Sequence, residues 1–396
     1  MKNSIKLNRA SWISILGLTA LAGHHAHATD GYFDYGYGVQ AKGIGGAGVA
    51  FPQDALAPAS NPAGAAFLDN RFDIGLSYLD PDRSASGGGT TYSGNKLENF
   101  YIPEIGYKHA VATNWDFDLA VYGNGGMNTD YAVSPFGEHV GVDLEQLFVA
   151  PTLAYKINEK NAIGLAPIFA LQRFKAYGLD PAFGVPSKGF DYSYGGGVRI
   201  GYTGKLTDRL TVGATYQSRI FTTRLDKYSG LFAEQGSFDI PSNFALGLAV
   251  KPQKQVTVAL DVERIFYSEV KAVGDSGQVQ QPLGSNNGPG FGWRDVTAIK
   301  TGIAYDVTKS LTLRAGYNYS TQPIPDNQTT FNVLAPAVIQ HHLTSGITWR
   351  FAHNWEASAF YTHAFEQQVN GAPANVAPFD LRMSQNTFGV SVGWLL

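Results

Sequence analysis

Three groups of residues have the types and spacing to do chemistry. Gly43-Ile44-Gly45-Gly46-Ala47-Gly48 matches G-x-G-x-x-G, the pattern that lets a pyrophosphate approach a helix N-terminus. That chemistry requires a buried strand before the glycines and a helix after them. Gly31, Gly36 and Gly38 interrupt the preceding run, and Pro52, Pro58 and Pro62 follow, so neither neighbour can form. His341-His342 invites a metal, but adjacent strand residues point to opposite faces and cannot close on one ion. One histidine is expected inside and one outside, with no metal site. Arg173 and Lys175 share one face of a strand end, where they can hold a ligand carboxylate or a lipid headgroup, or simply stand in water. Hydrolysis would need a serine, a histidine and an acid within hydrogen-bond reach. The serines and histidines are scattered, so no catalytic residue is nominated and no cofactor is expected.

The elements that must carry these residues read as strands. Leu311, Leu313, Ala315, Tyr317 and Tyr319 alternate with Thr312, Arg314, Gly316 and Asn318. Phe388, Val390, Val392 and Trp394 alternate with Gly389, Ser391 and Gly393, and similar patterns start at Trp115 and Val256. Period two with one apolar face means half-buried antiparallel strands. The expected strands are 71–79, 99–109, 114–131, 142–157, 161–176, 190–204, 208–224, 236–251, 255–271, 293–306, 310–320, 339–351, 354–366 and 383–396. Short links between them alternate with long Gly/Pro/Asn/Ser-rich ones such as 80–98, 177–189, 272–292 and 321–338. Short turns on one side and long loops on the other fit an all-β transmembrane antiparallel β-barrel of about 14 strands, an even number as such barrels require. Tyr78, Tyr155, Tyr216, Phe221, Tyr267, Trp349, Trp355 and Tyr361, near strand ends, fit its aromatic girdles.

Composition agrees with a membrane barrel. Glycine is 46 of 396 residues and charged residues are 15%, against typical values of ~7% and about 25%. There is no cysteine, and the net charge of −3 argues against a nucleic-acid partner. Residues 1–28 read as a signal peptide: Lys2, Lys6 and Arg9, then the apolar Trp12–Ala22, then Ala26-His27-Ala28 with cleavage expected after Ala28. Residues 71–396 form the expected barrel, and 29–70 are too rich in Gly and Pro for a strand and too apolar for a disordered tail. A plug inside the barrel solves this, its glycines allowing tight turns and close approach to the wall.

The glycine-rich run with Asn61-Pro62-Ala63, "YGNGGMNTDY" in the third strand, "GWRD" at 292–295 and "LTLRAGYNYSTQPIPD" together resemble the FadL-type outer-membrane transporters of long-chain fatty acids and aromatic hydrocarbons. The resemblance covers essentially all of the chain after the signal segment. It implies a hatch involving Asn61, Pro62 and Ala63, and a kink in the third strand that opens sideways toward the outer leaflet. Asn124, Gly125 and Gly126 carry that kink, because glycines interrupting a clean strand mark a bulge or bend. The implied partners are hydrophobic small molecules and outer-membrane lipid, in a monomer of a Gram-negative outer membrane. Gly288-Pro289-Gly290 carries no lysine where fatty-acid members place basic residues, so fatty acid and hydrocarbon both stand as cargo. A general porin for polar solutes, and an outer-membrane lipid hydrolase, remain the alternatives.

Overall fold

A computed structural model describes residues 30–97, 99–373 and 377–396. The expected signal segment, residues 1–28, lies outside the described residues. Long strands run in chain order as β1 (Arg71–Gly87), β2 (Phe100–Ala112), β3 (Trp115–Ser134), β4 (Gly137–Asn158), β5 (Asn161–Tyr177), β6 (Asp191–Thr207) and β7 (Leu210–Gln217). They continue as β8 (Asn243–Gln253), β9 (Val256–Ile265), β10 (Val296–Asp306), β11 (Leu311–Ser320), β12 (His341–Ala352), β13 (Trp355–Val369) and β14 (Asp380–Leu395). Each pairs antiparallel with the next, and β14 returns to β1 from Arg71↔Leu395 to Ser86↔Asp380. The result is a closed 14-strand barrel. Closure pairs the first strand with the last, so neither end of the sheet presents unpaired backbone to lipid.

Alternation sets the two faces. In β14, Phe388, Val390, Val392 and Trp394 point outward at 39–49% exposure, while Gly389 and Gly393 face inward. On β3, Asp116, Asp118 and Ala120 are buried inside, and Trp115 stands outside. The apolar face is therefore the lipid face.

The strands depart from expectation at their loop ends. β7 stops at Gln217, β8 starts only at Asn243, β9 stops at Ile265 and β10 starts at Val296. The apolar residues that mimicked strand there, Phe238, Ile240, Tyr267 and Trp293 among them, are 0–2% exposed and form part of one buried cluster. Tyr267 is accordingly no girdle residue: it opens a short 3-10 turn, Tyr267–Glu269, and turns inside. Conversely β1 runs on to Gly87 through what was expected to be loop, with Thr90–Ser93 folding back on it.

Residues 30–70 contain no barrel strand. They form one helical turn at Val39–Lys42 and 3-10 turns at Ala57–Ala59 and Pro62–Phe67, and nearly all are buried. Their hydrogen-bond partners are inward-facing residues of strands around the barrel, among them Glu104, Asp261, Thr344 and Glu356.

Candidate functional site

The glycines of the opening motif meet glycines of the wall. Gly45 and Gly46 have φ of 73° and 82°, left-handed values that a side chain would resist, and Ile44 beside them lies against Gly302 and Gly316. Val49 sits against Gly213 and Gly247, Ala55 against Gly106, and Pro62-Ala63 against Gly164. A Cβ on any of these wall glycines would overlap the segment's atoms. Wall and segment thus fit as notches and teeth, which explains the glycine content that composition alone left open.

Polar groups complete the fit. Asp261 accepts the N–H groups of Gly48 (2.7 Å) and Val49 (2.9 Å), and Glu104 accepts that of Val39 (2.9 Å). Arg314 donates to Gln40 and Gln53, and Lys42 pairs with Asp34 at 2.9 Å. Burial pushes the Asp30 carboxyl up to about 6, against the pull of Lys300. Burial likewise pushes Asp54 up to about 7, with Asp73 and Glu104 adding to it.

Asn61 sits fully buried at the head of Pro62–Phe67. Its Oδ1 accepts the Ala63 N–H at 3.1 Å, capping the turn. Its Nδ2 donates to the Val49 carbonyl (2.7 Å), the Tyr202 carbonyl (2.9 Å) and Thr203 Oγ1 (3.0 Å). One amide thereby joins two stretches of the segment to β6. Asn61→Ala is expected to leave a heat-modifiable barrel on gels but to loosen the segment by roughly 2–4 kcal/mol, from the lost cap and the buried carbonyls left unpaired. Limited proteolysis of the N-terminal segment reads this. Unchanged protection in both Asn61→Ala and Pro62→Ala would remove the locking role.

The third strand breaks where its glycines predict a bend. Pairing of β3 with β4 slips between Gly123 and Gly125, leaving Asn124 as the bulged residue. Asn124 Nδ2 donates to Gln146, and its Oδ1 accepts the Tyr37 hydroxyl at 2.9 Å. On the other side, pairing of β2 with β3 ends at Ile105↔Val121, although both strands continue. Gly126 N–H instead donates to the Tyr32 carbonyl (3.0 Å), and Asp34 N–H to that of Asn124 (2.9 Å). The N-terminal segment therefore stands in as a partner for the edge that β2 abandons. Pro103, with no N–H to leave unpaired, sits on the abandoned stretch of β2, where an edge tolerates proline. Leu79, Phe100 and Ile102 form a small apolar cluster beside this gap.

Behind the kink lies an aromatic cluster. The rings of Tyr32, Tyr267 and Trp293 pack with centroids 5.1–5.9 Å apart, and Phe238 joins them through Tyr32 at 6.0 Å. The Tyr267 hydroxyl donates to the Asp30 carbonyl (2.6 Å) and accepts the N–H groups of Tyr32 (3.1 Å) and Phe33 (3.2 Å). Sequence reasoning missed these residues by treating Tyr267 and Trp293 as strand. The signal was "GFGWRD", where Gly290 and Gly292 on either side of Phe291, just before Trp293, speak against regular strand.

The remaining candidates are placed elsewhere. Arg173 and Lys175 are on the outer face of β5, not in the lumen: Arg173 grips Glu145 through two bonds (2.7 and 2.8 Å), Lys175 lies 3.4 Å from Asp143, and both cover Phe190. Carboxylates of β4 thus already answer both cations on that face. His342 is buried inside, stacked on Tyr35 at 5.2 Å, while His341 meets Tyr317 and Tyr319 on the outer side. Gly389-Val390-Ser391-Val392-Gly393 does fit G-x-S-x-G, but it is regular strand inside β14, not the sharp strand-to-helix turn a nucleophile needs.

The sequence profile described as "Outer membrane protein transport protein (OMPP1/FadL/TodX)" matches residues 36–183 and 187–392. Among solved structures, the Pseudomonas putida toluene transporter TodX superposes with a TM-score of 0.71 at 20% identity, over 91% of this chain and 99% of that one. A Pseudomonas aeruginosa FadL homologue gives 0.70 at 17% identity over 92% and 99%, and the Ralstonia pickettii toluene transporter TbuX gives 0.66 at 18% over 91% and 99%. A 47 kDa outer membrane protein of Pasteurella multocida (strain Pm70) is 29% identical over 102 residues, 26% of this chain. That alignment spans 23% of the Pasteurella protein's length.

Proposed function

Given that this chain belongs to the outer membrane transport protein family OMPP1/FadL/TodX, we propose that it takes up hydrophobic small molecules across the outer membrane by passive diffusion. Residues 29–70 act as the hatch, with Asn61, Pro62 and Ala63 seating it, and the kink at Asn124, Gly125 and Gly126 gives cargo a sideways exit. The family is one of transport proteins, which sets the hydrolase alternative aside. The observation that carries the reading is the end of β2–β3 pairing at Ile105↔Val121, next to an apolar interior. A lateral path spares an apolar cargo the aqueous side, at about 0.8 kcal/mol per CH₂. Both long-chain fatty acids and the aromatic hydrocarbons carried by the toluene transporters it resembles match the apolar side chains that line the interior. Closure of the sheet within one chain supports a monomer in contact with outer-membrane lipid.

Cells lacking their own uptake route and expressing this protein should accumulate radiolabelled toluene or oleate above empty-vector cells. Gly126→Val, which favours regular strand, should remove the gain while the barrel still assembles. Stable conductance for polar solutes with no hydrophobic uptake would instead make it a general porin.

A further inference from the structure

On the reading that cargo leaves sideways between β2 and β3, we infer that Arg83 is the upper limit of that opening and sets the size of molecule that passes. Pairing of β1 with β2 ends at Leu79↔Phe100, and Arg83 lies two pleat repeats further along β1, facing inward and 2% exposed. From there its guanidinium reaches across the top of β2 to the free edge of β3. One terminal nitrogen donates to the Asn128 carbonyl (2.6 Å) and to Asn128 Oδ1 (3.2 Å), and the other donates to the Leu97 carbonyl (2.6 Å). The Arg83 N–H donates to Asn95 Oδ1 at 2.7 Å, which ties the same residue to the returning segment.

The need for such a group follows from the broken ladder. Beyond Val121 the edge of β3 has lost β2, and Asn128 is buried there, where a carbonyl left unpaired is costly. Tyr32 and Asp34 serve the edge at Gly126 and Asn124, and the stretch around Gly94 and Lys96 serves it at Asp130. Asn128 lies between these two patches, and Arg83 serves it. A planar guanidinium reaches the two carbonyls from two separate, rigidly spaced nitrogens, whereas an ammonium offers all its donors from one point. Below the guanidinium the walls are apolar: Phe100, whose ring centroid is 5.7 Å from it, with Leu79 and Ile102. The floor of the opening is Ile105↔Val121. An apolar molecule thus passes between a fixed backbone pair and a charge held in place by two carbonyls.

The test compares uptake of radiolabelled toluene and of the bulkier phenanthrene in cells with matched surface levels of heat-modifiable protein. Arg83→Met should raise the phenanthrene-to-toluene uptake ratio about fivefold or more, the scale at which steric fit discriminates. Arg83→Lys, which keeps the charge but not the fork, should raise it as well. An unchanged ratio in both variants overturns the inference, as does a Lys variant that behaves like the parent while Met does not, because charge alone would then suffice. Failure of both variants to assemble would make Arg83 a folding residue and overturn it too. Gly126→Val separates the two levels: if it leaves toluene uptake intact, the lateral route itself fails. If it blocks uptake while the Arg83 variants keep the parent ratio, only the role of Arg83 falls.

Discussion

Gly125→Val is expected to lower uptake of hydrophobic compounds by more than about tenfold while the barrel still assembles, because the change strikes one contact and β-branched residues suit a regular strand. A Cβ on Gly125 would overlap the Tyr32 carbonyl oxygen and lie 3.0 Å from Phe33 Cα. Both are backbone atoms, so no side-chain rotation relieves the clash. The segment must withdraw, and the bonds from Gly126 N–H to Tyr32 and from Asp34 N–H to Asn124 go with it. The edge of β3 is then left with buried, unpaired backbone groups, and the nearest remedy is renewed pairing with β2. That pairing closes the gap. Sequence alone put most weight on Gly126; the geometry moves it to the neighbouring glycine. The measurement is initial uptake of toluene at matched surface levels, with boiled and unboiled gel migration as the control for assembly. Parent-level uptake by an assembled Gly125→Val protein would mean that the contact between segment and kink has no part in transport.

Tyr267→Phe carries the second large effect. One hydroxyl serves the Asp30 carbonyl and the amides of Tyr32 and Phe33, all buried, and it comes from the connection between β9 and β10. Removing it keeps the ring contacts with Tyr32 and Trp293 but strands two donors and an acceptor. Each stranded group costs about 1–3 kcal/mol, and with partial relaxation roughly 3 kcal/mol is expected in docking of the segment. That corresponds to a rise of about a hundredfold in the released population. Hydrogen exchange at the Tyr32 and Phe33 amides should accelerate accordingly, with strand amides of β10 to β14 unchanged. Parent-like protection of Tyr32 and Phe33 would show that wall glycines and carboxylates hold the segment without the hydroxyl.

The sequence by itself determined the barrel. Period two with one apolar face, interrupted by alternately short and long links, admits half-buried antiparallel strands, and lipid outside requires that they close. It also placed the bend in the third strand, since glycines at 123, 125 and 126 have no use in a regular ladder. Asn61-Pro62 was legible as a capped turn because capping is local chemistry, complete within three residues.

Only the tertiary structure decided what meets those features. Alternation says that two faces differ; beyond the membrane it does not say which face is inside, so Arg173 and Lys175 shared a face whose side the pattern left open. Apolar residues that cover the barrel mouth alternate much as lipid-facing ones do, which is why Tyr267 and Trp293 passed for strand. The partner of Gly125 is Tyr32, and that of Asn128 is Arg83, and such pairings join positions far apart along the chain. Local pattern records how a residue stands on its own strand. Which backbone group it must satisfy depends on where the ladder breaks, and that is fixed only when all the strands have closed.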